Sequence, residues 1–425
     1  MDYILSVKDL IVGPIYFFSV LLFAFYYAVN MPKRDAPLRT YFVWMIFMRL
    51  IGTITLAIIY QFYYKYGDTF FYYHGAIAYK NLILENPSQA IETFINTFGD
   101  STGSTYLVMG FLDIFCFDSY IGIAILATTL NATGWWMVFL IFYRTYPQLL
   151  KQFAFALLFL PSVLIYGAGV LKEAPSILGM NMFLAGVYYF FLVKKRSFGL
   201  FLILGGAFLA YMIKAYLLIS MLIACSVWVT FRLKTGHSPS KIATRTIGLI
   251  MFGVIVVAGI LYISKNQEQY QLDFAITNTQ TSQQAQIETT ENEGGSGYMI
   301  PVLTPTLVGF TSSILAGLNV ALFRPYIWEI KKLINIPMAL ESLYALCLTL
   351  YTLKRVGIFQ TFRLLFTQPE ALLCIIHSIL ISAIAGIISF NYGTLNRYRV
   401  PCFSFYLVAL YIVIYEANAR SRIIQ

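Results

Sequence analysis

Two arginines near the carboxyl end of the chain are its most compact candidate for binding chemistry. Arg397 and Arg399 flank Tyr398 in the sequence NYGTLNRYRVP, which joins two apolar segments. Guanidinium groups hold oxyanions through paired hydrogen bonds. In an extended segment, side chains two positions apart point to the same side. The spacing therefore predicts an oxyanion receptor in which Arg397 and Arg399 face one ligand and Tyr398 lies between them.

A third arginine stands in the sequence FRPYIWE. Arg324 precedes Pro325, which favours the start of a helix, and Glu329 follows with Trp328 beside it. Together with the first two arginines, Arg324 supplies enough positive charge to neutralise a pyrophosphate. The alternative is a helix at the membrane interface whose basic side chains contact lipid headgroups.

A carboxylate surrounded by aromatic residues is the candidate general base. Asp68 follows Gly67 in the sequence GDTFFYYHGA, close to Tyr72 and His74. A carboxylate at this position can accept a proton from a hydroxyl group, and aromatic faces suit the C–H surfaces of sugar rings. The alternative is an aromatic belt at the membrane interface with an aspartate that caps a helix.

Two lysines are weaker candidates. Lys172 and Glu173 end the sequence PSVLIYGAGVLKE, where the glycines loosen the helix end. Such a pair can hold a phosphate, although a lysine that extends towards the interface beside an incidental glutamate is an equally simple interpretation. Lys214 interrupts a long apolar stretch and is expected mainly to mark a tight turn between two helices, with ligand contact as a minor alternative.

The composition shows which elements must position these residues. The chain has 425 residues, of which 59% are apolar and 11% are charged. Soluble domains carry about 25% charged residues, so lipid must be the solvent for most of this chain. We expect an all-α polytopic membrane protein with about eleven transmembrane helices, near 11–30, 41–63, 119–142, 152–170, 177–193, 198–212, 215–231, 246–263, 336–353, 371–390 and 402–417.

Charge in the loops predicts the orientation. Basic residues concentrate in alternate connections and at the carboxyl terminus, which places these segments in the cytoplasm and the amino terminus outside. Residues 1–425 then form a single integral membrane domain with two large segments on its outer face. The first, 64–118, is expected to contain one or two amphipathic helices in the interface, with a re-entrant turn as an alternative for 104–117. The second, 264–335, is expected to combine a flexible part, 265–297, with interfacial helices.

Several functional classes are disfavoured. The formal charge of +10 lies in loops that meet lipid headgroups, so nucleic-acid binding is not expected. The five cysteines show no C-x-x-C spacing and the three histidines are far apart, so no metal site is predicted. The common phosphate-loop, serine-hydrolase and zinc-protease motifs are missing. Ionisable residues are expected to be scarce in the middle of the spans, which disfavours an ion-coupled transporter.

Four segments carry a resemblance to a known group. GDTFFYYHGA, PSVLIYGAGVLKE, FRPYIWE and NYGTLNRYRVP resemble bacterial polytopic proteins of polysaccharide assembly. That group includes O-antigen or exopolysaccharide polymerase-like proteins and the broader GT-C-like glycosyltransferases. GT-C-like enzymes usually carry an acidic pair after the first span, whereas here a nearly solitary aspartate follows the second. No obligatory metal or other cofactor is therefore expected.

The resemblance implies a function in the bacterial inner membrane. A glycan on polyprenyl pyrophosphate would be the donor, and a hydroxyl of a second lipid-linked glycan the acceptor. Asp68 would orient or deprotonate this hydroxyl, while the arginines would stabilise the leaving pyrophosphate. Residues 63–73 would line the sugar site and 264–300 would act as a lid. Supporting residues for substrate binding would be Tyr72, His74, Lys172, Glu173, Lys214, Trp328, Glu329 and Tyr398.

Two other classes remain open. A transporter or flippase of the same lipid-linked glycan would use the same arginines, but would carry basic residues deeper in a central cavity. A non-catalytic membrane subunit of an envelope-assembly complex would need neither Asp68 nor the arginines for turnover. In each case membrane lipids are partners, and other polysaccharide-assembly proteins are candidate partners.

Overall fold

The described part of the chain is helical throughout. The computed structural model describes residues 4–232 and 306–424, together with 277, 280, 281, 298, 300 and 301. Within these residues there are α-helices and short 3-10 and π segments but no β-strand, so the all-α prediction is confirmed. The predicted span 246–263 lies outside the described residues, as do most of the flexible part 265–297 and most of the lid 264–300.

The helices of the amino-terminal half are numbered in chain order. They are α1 Val7–Val29, α2 Arg39–Ile58, α3 Asp68–Glu85, α4 Pro87–Asn96, α5 Ser101–Asp113, α6 Tyr120–Thr145, α7 Leu150–Ala154, α8 Pro161–Ile165, α9 Glu173–Val187 and α10 Arg196–Arg232.

The helices described in the carboxyl-terminal half continue this numbering. They are α11 Leu307–Phe323, α12 Ile336–Val356, α13 Ile358–Thr367, α14 Pro369–Ile388, α15 Tyr392–Tyr398 and α16 Val400–Ile424.

The chain packs as two compact units. Unit 1 comprises Met1–Thr145 and Phe153–Leu218, and unit 2 comprises Tyr146–Gln152 and Ile219–Gln425. Asp68 and the two candidate lysines belong to unit 1, whereas the three candidate arginines belong to unit 2.

Eight helical elements of the described residues are long and apolar enough to cross a membrane, as in a multi-pass membrane protein. They are Val7–Val29, Lys33–Tyr64, Tyr120–Thr145, Glu173–Leu192, Arg196–Arg232, Leu333–Val356, Pro369–Ile388 and Val400–Arg420. The prediction of a polytopic membrane protein is confirmed at this level, but the count of eleven spans is not.

One predicted span is broken into short pieces. Residues 152–170 form α7, a π segment and α8 instead of one helix. Pro161 starts α8 because it has no N–H group to continue the preceding helix. Beyond α8 the backbone is non-helical up to Lys172, and Gly169 adopts a φ of +79°. This left-handed conformation suits glycine, so the segment 166–172 forms a loop.

Two other predicted spans, 198–212 and 215–231, meet at a single non-helical residue. Lys214 has φ −144° and ψ 78°, and helical backbone continues on both sides within α10. Asn86 has almost the same conformation, φ −142° and ψ 77°, where α3 ends and α4 begins. Lys214 is therefore the corner between two helices, as the sequence predicted, although the corner needs only one residue.

The segment 64–118 contains three helices rather than one or two. α3 and α5 pack on each other so closely that a Cβ atom on Gly110 would lie 2.8 Å from the carbonyl oxygen of Ala76. Residues 104–117, for which a re-entrant turn was the alternative, mostly belong to α5 and cover α3. Glycine at this crossing allows the two backbones to approach each other.

The predicted interfacial helix of the second outer segment packs on a candidate span. α11 has 17 residues and crosses α14 at Gly317 and Gly386. A Cβ atom on Gly386 would lie 2.0 Å from the carbonyl oxygen of Gly317. α11 is therefore part of the helical packing of unit 2. The expectation that 264–335 contains interfacial helices stays a prediction.

Gly386→Ala tests this crossing. The methyl group meets backbone atoms of α11, which cannot rotate away, so we expect the variant to lose about 1–3 kcal/mol of stability. The measurement is the thermal unfolding midpoint of purified protein in detergent. Gly205→Ala is the matched control, since its nearest neighbour would be the terminal carbon of Met182 at 3.6 Å. Equal midpoints for Gly386→Ala and the wild type would contradict the close crossing.

Candidate functional site

The structure assembles a site around Lys172 in unit 1. The Nζ atom of Lys172 donates hydrogen bonds to Ser101 Oγ at 2.7 Å and to Thr102 Oγ1 at 2.9 Å. The same ammonium lies 5.4 Å from the centroid of the Tyr72 ring. Asp68 stands four positions before Tyr72 on α3, so both lie on the same face of that helix. We call Asp68, Tyr72, Ser101, Thr102 and Lys172 the lysine site.

Helix starts surround the lysine site. α3 begins at Asp68, α5 at Ser101 and α9 directly after Lys172. Asp100 caps α5 by accepting hydrogen bonds from the N–H groups of Thr102 at 3.3 Å and Gly103 at 2.7 Å. The first turn of each helix carries partial positive charge, which favours an anion. Lysine and helix dipoles therefore act in the same direction here, while Asp68 and Asp100 oppose them.

Glu173 forms its ion pair with Lys214 and not with its neighbour Lys172. Its Oε1 atom accepts a hydrogen bond from Lys214 Nζ at 2.7 Å, and the two side chains are only 3% and 8% exposed. This buried ion pair ties the corner of α10 to the start of α9. The burial favours the structural interpretation of Lys214 over direct ligand contact, and it turns Glu173 away from the ligand role predicted for it.

The charge of Lys172 is destabilised by its surroundings. Partial burial lowers the pKa of its ammonium, and the positive charge of Lys214 lowers it further. Glu173, Asp100 and Asp68 act in the opposite direction without cancelling the effect. An oxyanion placed beside Lys172 would stabilise the ammonium, so the site favours binding of a negative ligand.

His74 lies apart from this arrangement. It is exposed, and its ring packs on Tyr73 with a centroid distance of 5.3 Å. It follows Asp68 by six positions, which at about 100° per residue places it on a different face of α3. The position of His74 gives no support to its predicted role beside Asp68.

In unit 2, Arg324 and Glu329 form a tight pair. Arg324 Nε donates to Glu329 Oε2 at 3.0 Å, and Arg324 Nη2 donates to Oε1. The same carboxylate accepts the N–H of Tyr326 and the hydroxyl of Tyr392, each at 2.9 Å. Partial burial opposes ionisation of Glu329, but the hydrogen bonds from these three residues outweigh it and lower the pKa. Arg324 is therefore fixed by a carboxylate of its own loop.

Aromatic rings lie on both sides of this pair. The guanidinium of Arg324 lies 5.1 Å from the centroid of the Tyr298 ring. Trp328 is 81% exposed and stacks on Tyr326 with a centroid distance of 4.9 Å. An exposed tryptophan stacked on a half-buried tyrosine offers an apolar face close in sequence to a charged group. This arrangement fits either a sugar ring or the membrane interface.

Arg399 is a structural residue by its contacts. It is completely buried and donates to Glu341 Oε2 at 2.8 Å and Ser342 Oγ at 2.7 Å. It also donates to the carbonyl oxygens of Arg324 at 3.3 Å and Met338 at 3.2 Å. Its guanidinium thus joins the end of α11, the start of α12 and the start of α16. Burial of this kind does not fit the predicted contact with a lipid-linked pyrophosphate.

The predicted pairing of Arg397 with Arg399 is wrong. Asn391 caps α15 through the N–H of Thr394, so Arg397 and Tyr398 are helical instead of extended. Two positions along a helix correspond to a rotation of about 200°, which sends the two arginines in different directions. Arg397 lies 5.9 Å from the centroid of the Tyr398 ring and is 9% exposed.

Sequence reasoning overlooked a buried arginine in the second span. Arg49 lies inside Lys33–Tyr64, is 1% exposed and donates from Nη1 to Asn131 Oδ1 at 2.9 Å. Arg49 is therefore an exception to the expected scarcity of ionisable groups in the middle of the spans. The signal was available, since a charge within an apolar span is a candidate functional residue. Ser101 and Thr102 were also missed, because nothing in their sequence links them to Lys172.

Within the described residues, no group of three or more histidine, cysteine, aspartate or glutamate side chains is placed to hold a metal ion. Comparison of the chain with protein-family models, with curated proteins and with solved structures found no match.

Proposed function

We propose that this chain is a glycan polymerase or glycosyltransferase that uses polyprenyl-(pyro)phosphate-linked sugars at the outer face of the bacterial inner membrane. The observation that carries the proposal is the lysine site. It combines a cation for a phosphate, an aromatic ring for a sugar and a carboxylate for a hydroxyl proton, with all three groups in unit 1.

Each group of the lysine site has a role in this reaction. Lys172 binds the phosphate of the donor and stabilises the negative charge that grows on it as the glycosidic bond breaks. Ser101 and Thr102 hold the ammonium in place. Tyr72 packs against a sugar ring. Asp68 accepts the proton of the acceptor hydroxyl or orients this hydroxyl for attack.

We call residues 324–329 the arginine loop and propose it as a separate contact for a lipid-linked glycan within unit 2. Arg324 supplies positive charge and Trp328 an apolar face for a sugar. Glu329 holds Arg324 in place by its carboxylate. Arg399 stabilises this loop by donating a hydrogen bond to the carbonyl oxygen of Arg324. We therefore assign Arg399 to positioning and not to the reaction itself.

The proposed topology follows the loop charges. About eleven spans, an outer amino terminus and a cytoplasmic carboxyl terminus would put the lysine site on the outer face. The basic loops near Lys33, Lys194 and Lys354 would meet anionic headgroups in the cytoplasmic leaflet. Other polysaccharide-assembly proteins are the partners that this location suggests.

Arg49 favours a transporter or flippase as the second candidate. A protein that moves a lipid-linked glycan needs positive charge deeper in the membrane than a surface enzyme does. Arg49 is such a charge, since it lies in a span and is 1% exposed. A non-catalytic assembly subunit has no comparable observation in its favour.

Lys172→Gln in a deletion strain tests the proposed function. We expect wild type to restore long glycan chains, whereas the variant leaves short, lipid-linked repeat units because the phosphate is no longer held. The measurement is glycan chain length at matched protein levels. Lys151→Gln, at an exposed position of α7, is the control and should restore full-length polymer.

The location of the accumulated glycan separates the two candidates. A failed polymerase leaves lipid-linked repeat units on the outer leaflet, where a glycosidase added to spheroplasts can reach them. A failed flippase leaves them on the inner leaflet, protected from the enzyme. Full-length polymer in the Lys172→Gln strain would exclude a required role for the lysine site.

A further inference from the structure

Arg49 is buried, and two of its three guanidinium nitrogens have no hydrogen-bond partner among the described residues. Its Nη1 atom donates to Asn131 Oδ1, and Asn131 in turn donates to the carbonyl oxygen of Ala174 at 2.7 Å. Among the residues that the structure describes, the Nε and Nη2 atoms of Arg49 have no hydrogen-bond partner. A buried guanidinium with unsatisfied donors is costly, and more so within a membrane span.

The two unused donors occupy one edge of the guanidinium plane. Arg324 shows what this edge does when it is occupied, since its Nε and Nη2 atoms hold the two carboxylate oxygens of Glu329. Such side-on binding is a strong arrangement for an oxyanion. Arg49 presents the same edge, while its third nitrogen is already held by an amide oxygen that carries no charge.

Polar side chains next to Arg49 form further hydrogen bonds in the same part of unit 1. Thr53 donates to the carbonyl oxygen of Arg49 at 2.9 Å and contacts the Thr128 hydroxyl at 2.8 Å. The Thr128 hydroxyl accepts the N–H of Gly169 at 3.0 Å. These contacts tie α2 and α6 to the loop 166–172, which is non-helical. Non-helical backbone at membrane depth is tolerated where it is buried in protein or lines a polar cavity.

The loop 166–172 connects Arg49 with the lysine site. A Cβ atom on Gly167 would lie 3.8 Å from Arg49 Nη1, and Lys172 ends the loop. α8 precedes the loop and packs closely on α2. A Cβ atom on Gly52 of α2 would lie 2.2 Å from the carbonyl oxygen of Leu164. The loop therefore lies beside the guanidinium of Arg49 at one end and reaches the lysine site at the other.

We infer that Arg49 binds one phosphate group through its Nε–Nη2 edge, at a site within unit 1 that is separate from the lysine site. The phosphate supplies the negative charge and the acceptors that the described residues do not. Inorganic phosphate and the phosphate of a polyprenyl lipid share this chemistry. The inference does not depend on the proposed function, since any phosphate-bearing ligand would complete the edge.

Asn131→Asp is the decisive variant. It places a carboxylate beside the guanidinium of Arg49 and thereby neutralises the positive charge without a ligand. It also keeps the size of the side chain at position 131. We expect phosphate affinity to fall by at least about tenfold, as for loss of one charge-assisted interaction. Arg49→Gln should abolish this binding but can also weaken folding, so the aspartate variant keeps the inference testable. The readout is the thermal midpoint of the purified full chain titrated with inorganic phosphate.

Two further measurements identify which molecule supplies the phosphate and at which residues it binds. Native mass spectrometry of the chain in nanodiscs, with and without polyprenyl phosphate, shows whether a lipid phosphate is retained by wild type and lost in Asn131→Asp. Retention of the lipid without a response to inorganic phosphate still supports the inference and names the lipid as the source. Equal binding by wild type and Asn131→Asp overturns it. Loss of binding only in Lys172→Gln also overturns it, while leaving the proposed function in place.

Discussion

Replacing Arg399 by alanine is expected to remove most folded protein from the membrane. The substitution leaves the carboxylate of Glu341 buried without its cation and removes hydrogen bonds to Ser342 and to the carbonyls of Arg324 and Met338. Loss of one partner from a buried ion pair costs about 3–5 kcal/mol, a large part of the stability of a typical domain. The measurement is the folded fraction by size-exclusion chromatography in detergent, with the thermal midpoint of what remains.

Matched variants separate structure from ligand binding at this position. Arg363→Ala removes an exposed arginine of α13 in the same unit and should have no effect on folding. Arg399→Met combined with Glu341→Leu removes both charges and should recover part of the stability. A purified Arg399→Ala protein with wild-type stability and no activity would show instead that this guanidinium acts on the ligand.

Replacing Asp68 by asparagine is expected to reduce turnover by about 10²-fold or more, because a positioned general base contributes 10²–10⁴-fold. Asparagine keeps the size of the side chain and its place in the first turn of α3, so folding should be retained. The measurement is glycan transfer by purified protein supplied with lipid-linked donor and acceptor. Binding of the donor should change little, since Lys172 is expected to hold the phosphate.

Glu85→Gln provides the control for the aspartate. It makes the same carboxylate-to-amide change at the other end of α3, at an exposed residue. This variant should have the turnover of wild type. If Asp68→Asn transfers glycan at the wild-type rate, Asp68 serves only as the first residue of α3, and the proposed chemistry needs another base.

Residue patterns predicted much of the helical framework. α1, α6 and α14 lie close to the predicted spans 11–30, 119–142 and 371–390, because a long apolar run has few alternatives to a helix in lipid. The corner at Lys214 was predicted for a related reason, since a charge interrupts an apolar stretch. The break of 152–170 was not predicted. Pro161 and Gly169 act there together with the packing of α2 on α8, which the local sequence does not contain.

The candidate site was also predicted from the sequence only in part. The sequence identified Asp68, Lys172 and Arg324 as charges in unusual positions. It did not predict which side chains contact them in the folded chain. Ser101 and Thr102 reach Lys172 across about seventy residues of chain. The alternation of Arg397 and Arg399 suggested one receptor, whereas the cap at Asn391 makes the segment helical and separates them. A local pattern cannot show this when a helix and an extended segment are both compatible with it.

The amino-acid sequence by itself determined that this chain is helical and has the long apolar spans of a multi-pass membrane protein, because the free energy of burying apolar residues and backbone groups in lipid depends mainly on their number and order. Only the tertiary structure decided which charges are paired and buried and which remain accessible. Glu173, Lys214 and Arg399 form buried ion pairs with partners distant in sequence, while the Nε–Nη2 edge of Arg49 meets no partner among the described residues. The energy of a charge in a low-dielectric interior depends mainly on the groups within a few ångströms of it. Tertiary packing determines which groups these are.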